Sequence, residues 1–119
     1  MANTDQGSIV RIEISEEGQP HAEVFVQAAA LVGADGIAFD SRHMLYVAVD
    51  LQNALVRITP KGDITTLATA GDGLDYPAST SFDQRHGQRR FLFWTNGGIN
   101  FNTPSVQKMD VNVPGAPLP

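Results

Sequence analysis

Apolar residues recur along this chain with the spacing of strands. Val10, Ile12 and Ile14 alternate with Arg11, Glu13 and Ser15, so one face of an extended segment is apolar and the other polar. Short apolar runs of the same kind follow at Glu23–Val26, Gly36–Phe39, Leu45–Val49, Leu55–Thr59, Ile64–Thr69, Ala78–Phe82, Phe91–Thr95 and Ser105–Val111. Each is roughly 4 to 8 residues long, the range of strands rather than helices. Turn residues separate them: Glu17-Gly18, Asp35-Gly36, Lys61-Gly62-Asp63, Gly71-Asp72-Gly73, Tyr76-Pro77, Asn96-Gly97-Gly98 and Pro114-Gly115. Only Gln27 to Val32 could make a helical turn, and one turn alone is marginal. The pattern predicts an all-β fold.

The strands also repeat as a group. Ile9-Val10-Arg11-Ile12 is echoed by Leu55-Val56-Arg57-Ile58, 46 residues on, and more weakly by Val106-Gln107-Lys108-Met109. Gly36-Ile37-Ala38-Phe39-Asp40 returns 43 residues later as Ser79-Thr80-Ser81-Phe82-Asp83. Met44-Leu45-Tyr46-Val47 returns 47 residues later as Phe91-Leu92-Phe93-Trp94. A period in the forties with four short strands per copy is the signature of a β-propeller blade. With strands lettered a to d from the axis outwards, residues 1–27 are the end of one blade, 34–70 a complete blade and 77–113 the first three strands of the next. That is nine strands, about two and a quarter blades. Met1 to Thr4 reads as the tail of a further b strand.

Propellers close a ring of typically 4 to 8 blades, and fewer than about three repeats rarely bury enough core to stand alone. The expectation is therefore a C-terminal part of a longer propeller. The competing reading is a small self-sufficient β domain, with several copies completing a ring. Both terminal blades would expose apolar surface, including Phe91, Phe93 and Trp94, and such surface invites self-association.

Two stretches carry a family resemblance. Gly33-Ala34-Asp35-Gly36-Ile37-Ala38-Phe39-Asp40 leads into Met44-Leu45-Tyr46-Val47-Ala48-Val49. Leu55-Val56-Arg57-Ile58-Thr59-Pro60-Lys61-Gly62 is followed later by Asp110-Val111-Asn112-Val113-Pro114-Gly115. In this order they resemble the last blades of the SMP-30/gluconolactonase/LRE-like family, over about residues 8–117. Strictosidine synthase-like and NHL propellers share the blade grammar without the same site. The resemblance implies a six-bladed ring with a divalent metal, often calcium, on its axis, and hydrolysis of sugar lactones or related esters. It further implies that Asp35, at the start of an innermost strand, is a metal ligand and general base. The family's other ligands, a glutamate and asparagines of earlier blades, match no position here. A hard cation takes six to eight oxygens, so the resemblance implies that these 119 residues alone hold no tight calcium and hydrolyse no lactone. A non-catalytic propeller scaffold is the competing functional reading.

Several residues have plainer explanations. Asp-Gly is a common turn pair, which leaves Asp35 a turn residue on that reading. Its counterpart in the next repeat, within Tyr76-Pro77-Ala78, is not acidic. Asp40 and Asp83 recur at equivalent places and point to a structural role in the a–b turns. Asp72 and Asp75 lack the acidic ladder of a calcium loop and read as a solvated d–a loop. His21, His43 and His86 have no metal-ligand spacing, and Asn96 takes no ligand role. No serine sits in a Gly-x-Ser-x-Gly setting. Gly71-Asp72-Gly73 and Gly97-Gly98 do not continue into a phosphate loop. Trp94 lies in a run apolar on both faces, which favours burial between sheets.

Composition narrows the partners. The chain carries 13 acidic and 8 basic residues, a formal net charge of -5. That is the wrong sign for a nucleic-acid footprint or an anionic membrane face. The one basic cluster, Arg85, His86, Arg89 and Arg90, reads as a solvated hairpin tip. There is no cysteine, which removes disulfides, thiolate zinc sites and cysteine nucleophiles. No apolar run approaches a transmembrane length of about 18 residues. Residues 1–8 lack the basic start and apolar stretch of a signal peptide, and the compartment stays open. The partner implied by the resemblance is a small lactone or ester.

Overall fold

A computed structural model describes residues 1–118. The fold is all-β, built of ten strands in three open antiparallel sheets. The first sheet holds β1 (Ala2–Asn3), β2 (Ser8–Ile14) and β3 (Pro20–Gln27). The second holds β4 (Ala34–Phe39), β5 (Leu45–Val49), β6 (Ala54–Ile58) and β7 (Ile64–Ala68). The third holds β8 (Pro77–Phe82), β9 (Phe91–Asn96) and β10 (Ser105–Asp110). Within each sheet the strands follow chain order, each pairing with the next. Among the described residues no helix is long and apolar enough to cross a membrane.

The nine expected strands are present, and the tail at residues 1–4 forms a tenth, β1, paired with Ser8 and Ile9. The helical turn expected within 27–32 is a 3-10 turn at Ala29–Leu31. Two more, at Asp50–Gln52 and Ala70–Asp72, were not signalled by periodicity.

Packing follows from the period of two. On β5, Leu45, Val47 and Val49 face the first sheet, with Ile9, Val56 and Ile58, in one apolar core. Tyr46, between them in sequence, faces the third sheet in a second core with Leu55, Phe82, Leu92 and Trp94. All five residues of β5 are buried. The middle sheet is thus covered on both faces, which is why Leu45–Val49 carries no polar alternation. The Tyr46 and Phe82 rings meet edge to face, 5.4 Å apart and inclined at 85°.

Trp94 belongs to that second core and is buried, so it is not part of the exposed face expected with Phe91 and Phe93. Strand alternation separates them: Leu92 and Trp94 point at the middle sheet, while Phe91 and Phe93 point away and are half-buried. The Lys108 ammonium lies 4.9 Å from the centre of the Phe91 ring.

The sheets meet at their first strands. At Gly36 of β4 a Cβ would stand 2.5 Å from the Ala78 carbonyl oxygen and 2.6 Å from the Ser79 Cα of β8. Only a residue without a side chain allows that backbone approach. The repeat extends to fine geometry. Both β4 and β8 are irregular at their starts, between Ala34 and Ile37 and between Pro77 and Thr80. Gly33 and Tyr76, just before them, both have positive φ. The Gly33 carbonyl accepts from the Asp50 N–H at 2.8 Å, and the Tyr76 carbonyl from the Gly97 N–H at 2.9 Å.

The last residues cross from the third sheet to the second. The Ser41 N–H donates to Pro114 O (2.9 Å), the Ala116 N–H to Phe39 O (2.9 Å) and the Gly115 N–H to Arg89 O (2.8 Å). Gly115 lies so close to the Phe82 ring that a Cβ there would sit 2.3 Å from it.

Candidate functional site

Asp35 is the second residue of β4, inside the irregular start of that strand, where the backbone turns its carboxylate to solvent. Among the described residues it joins no ion pair. The other acidic residues that the sequence singled out, Asp40, Asp72, Asp75 and Asp83, all accept hydrogen bonds through their carboxylates. Asp40 is buried and caps its turn: Oδ1 accepts from the Arg42 N–H (2.8 Å) and the Met44 N–H (3.0 Å), and Oδ2 from the Tyr46 hydroxyl (3.2 Å). Burial, with the adjacent Asp40 carboxylate, pushes the Tyr46 phenol up to about 12. Asp83 repeats the turn, its Oδ1 accepting from the Arg85 N–H at 2.9 Å. The Arg85 guanidinium lowers this carboxyl to about 2. The structural role expected of both is what the coordinates give them.

Asp75 corrects the expectation of a solvated loop. It is wholly buried. Its carboxylate accepts from the backbone N–H groups of Asn100 (2.8 Å), Phe101 (3.0 Å) and Thr103 (3.0 Å) and from the Thr103 hydroxyl (2.9 Å). Burial alone raises a carboxyl, but these four donors outweigh it and hold Asp75 below its ordinary value. Asp72 instead closes a capping box with Thr69. Asn96 is equally occupied: its amide donates to Gly73 O and Ser105 Oγ and accepts from the Asp75 N–H. The basic cluster is also less free than expected. Arg85 pairs with Asp83, Arg90 pairs with Asp110 at 2.9 Å, and Arg89 reaches Gly115 O.

Tyr76, which the sequence left unassigned, lies within reach of the Asp50 and Asp35 charges. The Asp50 charge raises the Tyr76 phenol, followed by desolvation, a hydrogen bond to Asp50 and the Asp35 charge. The phenol's single proton is thereby drawn to the Asp50 carboxylate. Asp50 is buried at the start of its 3-10 turn, and its carboxylate takes the Leu51 N–H. Gly33 makes room for it, since a Cβ there would meet Asp50 Oδ1 at 2.6 Å. Asn53 holds the other side: its Oδ1 accepts from the Tyr76 N–H (2.7 Å) and from Asn100 Nδ2 (3.0 Å). The signal for Tyr76 lay in the repeat, because it aligns with Gly33 at a position that needs positive φ.

These donors do not complete a shell for a hard cation. Asp35 and Asp50 supply carboxylates, but the Asn53 oxygen is already engaged twice, and a calcium-type ion takes six to eight oxygens. Among the described residues no group of three or more His, Asp or Glu side chains comes together to hold a metal. At the other end of β4 a separate cleft of about 400 Å³ opens between the first two sheets, its lining including Ile9, Phe25, Ile37, Phe39 and Leu45. It is apolar and does not include Asp35. No protein-family model matches the chain, and no curated protein matches it by sequence.

Proposed function

We propose that these sheets are consecutive blades of an SMP-30-like propeller, and that Asp35 marks the hydrolytic centre of a lactonase or esterase. The observation that carries this reading is the contrast among the carboxylates. Asp40, Asp75 and Asp83 are consumed by turns and loops, while Asp35 stands exposed at the meeting of β4 and β8. A carboxylate so placed can take a proton from water as the water oxygen attacks an ester or lactone carbonyl carbon. The acyl C–O bond then breaks, and the departing alkoxide recovers the proton. The implied divalent cation needs further oxygens around Asp35, which these residues do not provide, so the reading assigns turnover only to an assembly that does.

Two measurements test it. The isolated chain with calcium is expected to hydrolyse sugar lactones no faster than background. Terbium, a calcium surrogate excited through nearby aromatic rings, is expected to bind weakly, with Kd on the order of 10⁻³ M. Asp35→Asn should abolish that binding and Asp83→Asn should leave it intact. Terbium binding indifferent to Asp35→Asn, or brisk lactone hydrolysis by the chain alone, would falsify the assignment. A non-catalytic scaffold is the second reading, favoured by the number of acidic side chains committed to holding turns.

A further inference from the structure

The strands β2, β6 and β10, each third in its repeat, are copies of one pattern, and their environments can be compared position by position. The side chain that looks toward the following sheet is Ile9 in β2, Leu55 in β6 and Val106 in β10. Ile9 is covered by the second sheet and Leu55 by the third, whereas Val106 is 69% exposed. The side chain that looks toward the preceding sheet is Ile12, Ile58 and Met109. Ile58 packs against the first sheet and Met109 against the second, whereas Ile12 is 48% exposed. Phe93 repeats the theme: its counterpart Tyr46 is buried under the third sheet, and Phe93 has no sheet beyond it.

The two uncovered faces are therefore the two halves of an interface that the chain already makes twice within itself. Val10, Ile12, Ile14 and Val24 form one half; Phe91, Phe93 and Val106 form the other. Their borders differ in charge, with Glu16 and Glu17 at the β2–β3 turn of one and Lys108 beside Phe91 on the other. We propose that copies of this chain assemble head to tail, the outward face of β1–β3 of one copy packing on the outward face of β8–β10 of the next. Such a heterologous contact closes into a ring or extends into a filament, according to its rotation. The proposal does not depend on the reading of Asp35.

Light scattering on a dilution series of the 119-residue chain tests it. The wild type is expected to show a mass of several chains that falls on dilution. Ile12→Asp and Val106→Asp should each reduce it to complexes of fewer chains, with circular dichroism unchanged because both positions lie on the surface. Each of these variants retains one intact face. Mixing the two should therefore produce a species of two chains, more abundant than in either variant alone at the same total concentration. If Ile12→Asp misfolds, Val24→Asp, on the same face and 58% exposed, replaces it. A wild type monomeric throughout the series overturns the proposal. So does a mixture no larger than its components. Assembly that survives both Ile12→Asp and Val24→Asp but not Val106→Asp would indicate pairing of like faces and overturns it too.

Discussion

The middle sheet and the two outer sheets repeat one strand pattern and live in different surroundings. β6 and β10 share an apolar-x-basic-apolar core, yet Leu55 is fully buried and Val106 stands in solvent. What distinguishes them is not local propensity but the presence of a sheet on the following side. A repeat unit whose apolar face is not covered by its neighbour gains little from that face.

The largest test of this contrast is a pair of truncations read as unfolding free energy in dilute solution. Leu55→Ala, which opens a cavity between two sheets, should cost about 2–5 kcal/mol. Val106→Ala at the equivalent position should stay within about 0.5 kcal/mol. Equal losses would mean that the third sheet's outer face is covered in solution. Next come the glycines at the junction between second and third sheets. Gly115→Ala pushes a methyl group into the Phe82 ring and should cost about 1–3 kcal/mol. Gly36→Ala meets backbone atoms of β8, which cannot swing aside, and should cost more than Gly115→Ala. A smaller effect is expected of Tyr46→Phe, about 1 kcal/mol, because Asp40 keeps its two backbone donors when the hydroxyl is lost.

Acid gives the gentlest probe. Asp75 and Asp83 both have lowered folded-state values, so each contributes stability that is complete above the unfolded value near 3.8 and is lost as pH falls through the folded one. For Asp83 the window runs from about 3.8 down to about 2. Because Arg85 is exposed, solvent screening keeps that part small. The urea midpoint should therefore decline below about pH 4, and Asp75→Asn should flatten the decline more than Asp83→Asn does.

Much of this was legible in the chain. Strand positions and the turn roles of Asp40 and Asp83 follow from alternation and from the repeat. What stayed hidden needed contacts distant in sequence. Nothing near Asp75 announces that it is buried, because its partners arrive from residues 100–103. Asp50 and Asn53 look like ordinary loop residues until Tyr76 is brought over them. Phe91, Phe93 and Trp94 read together as one exposed surface, and only the neighbouring sheet shows that Trp94 is on the covered face.

Asp75 fastens the segment 100–103 through a single carboxyl group that takes three amide protons and one hydroxyl proton at once. Those three amides share one acceptor group. In deuterated water Asn100, Phe101 and Thr103 should therefore lose their protons at one common rate, as a single latch opening.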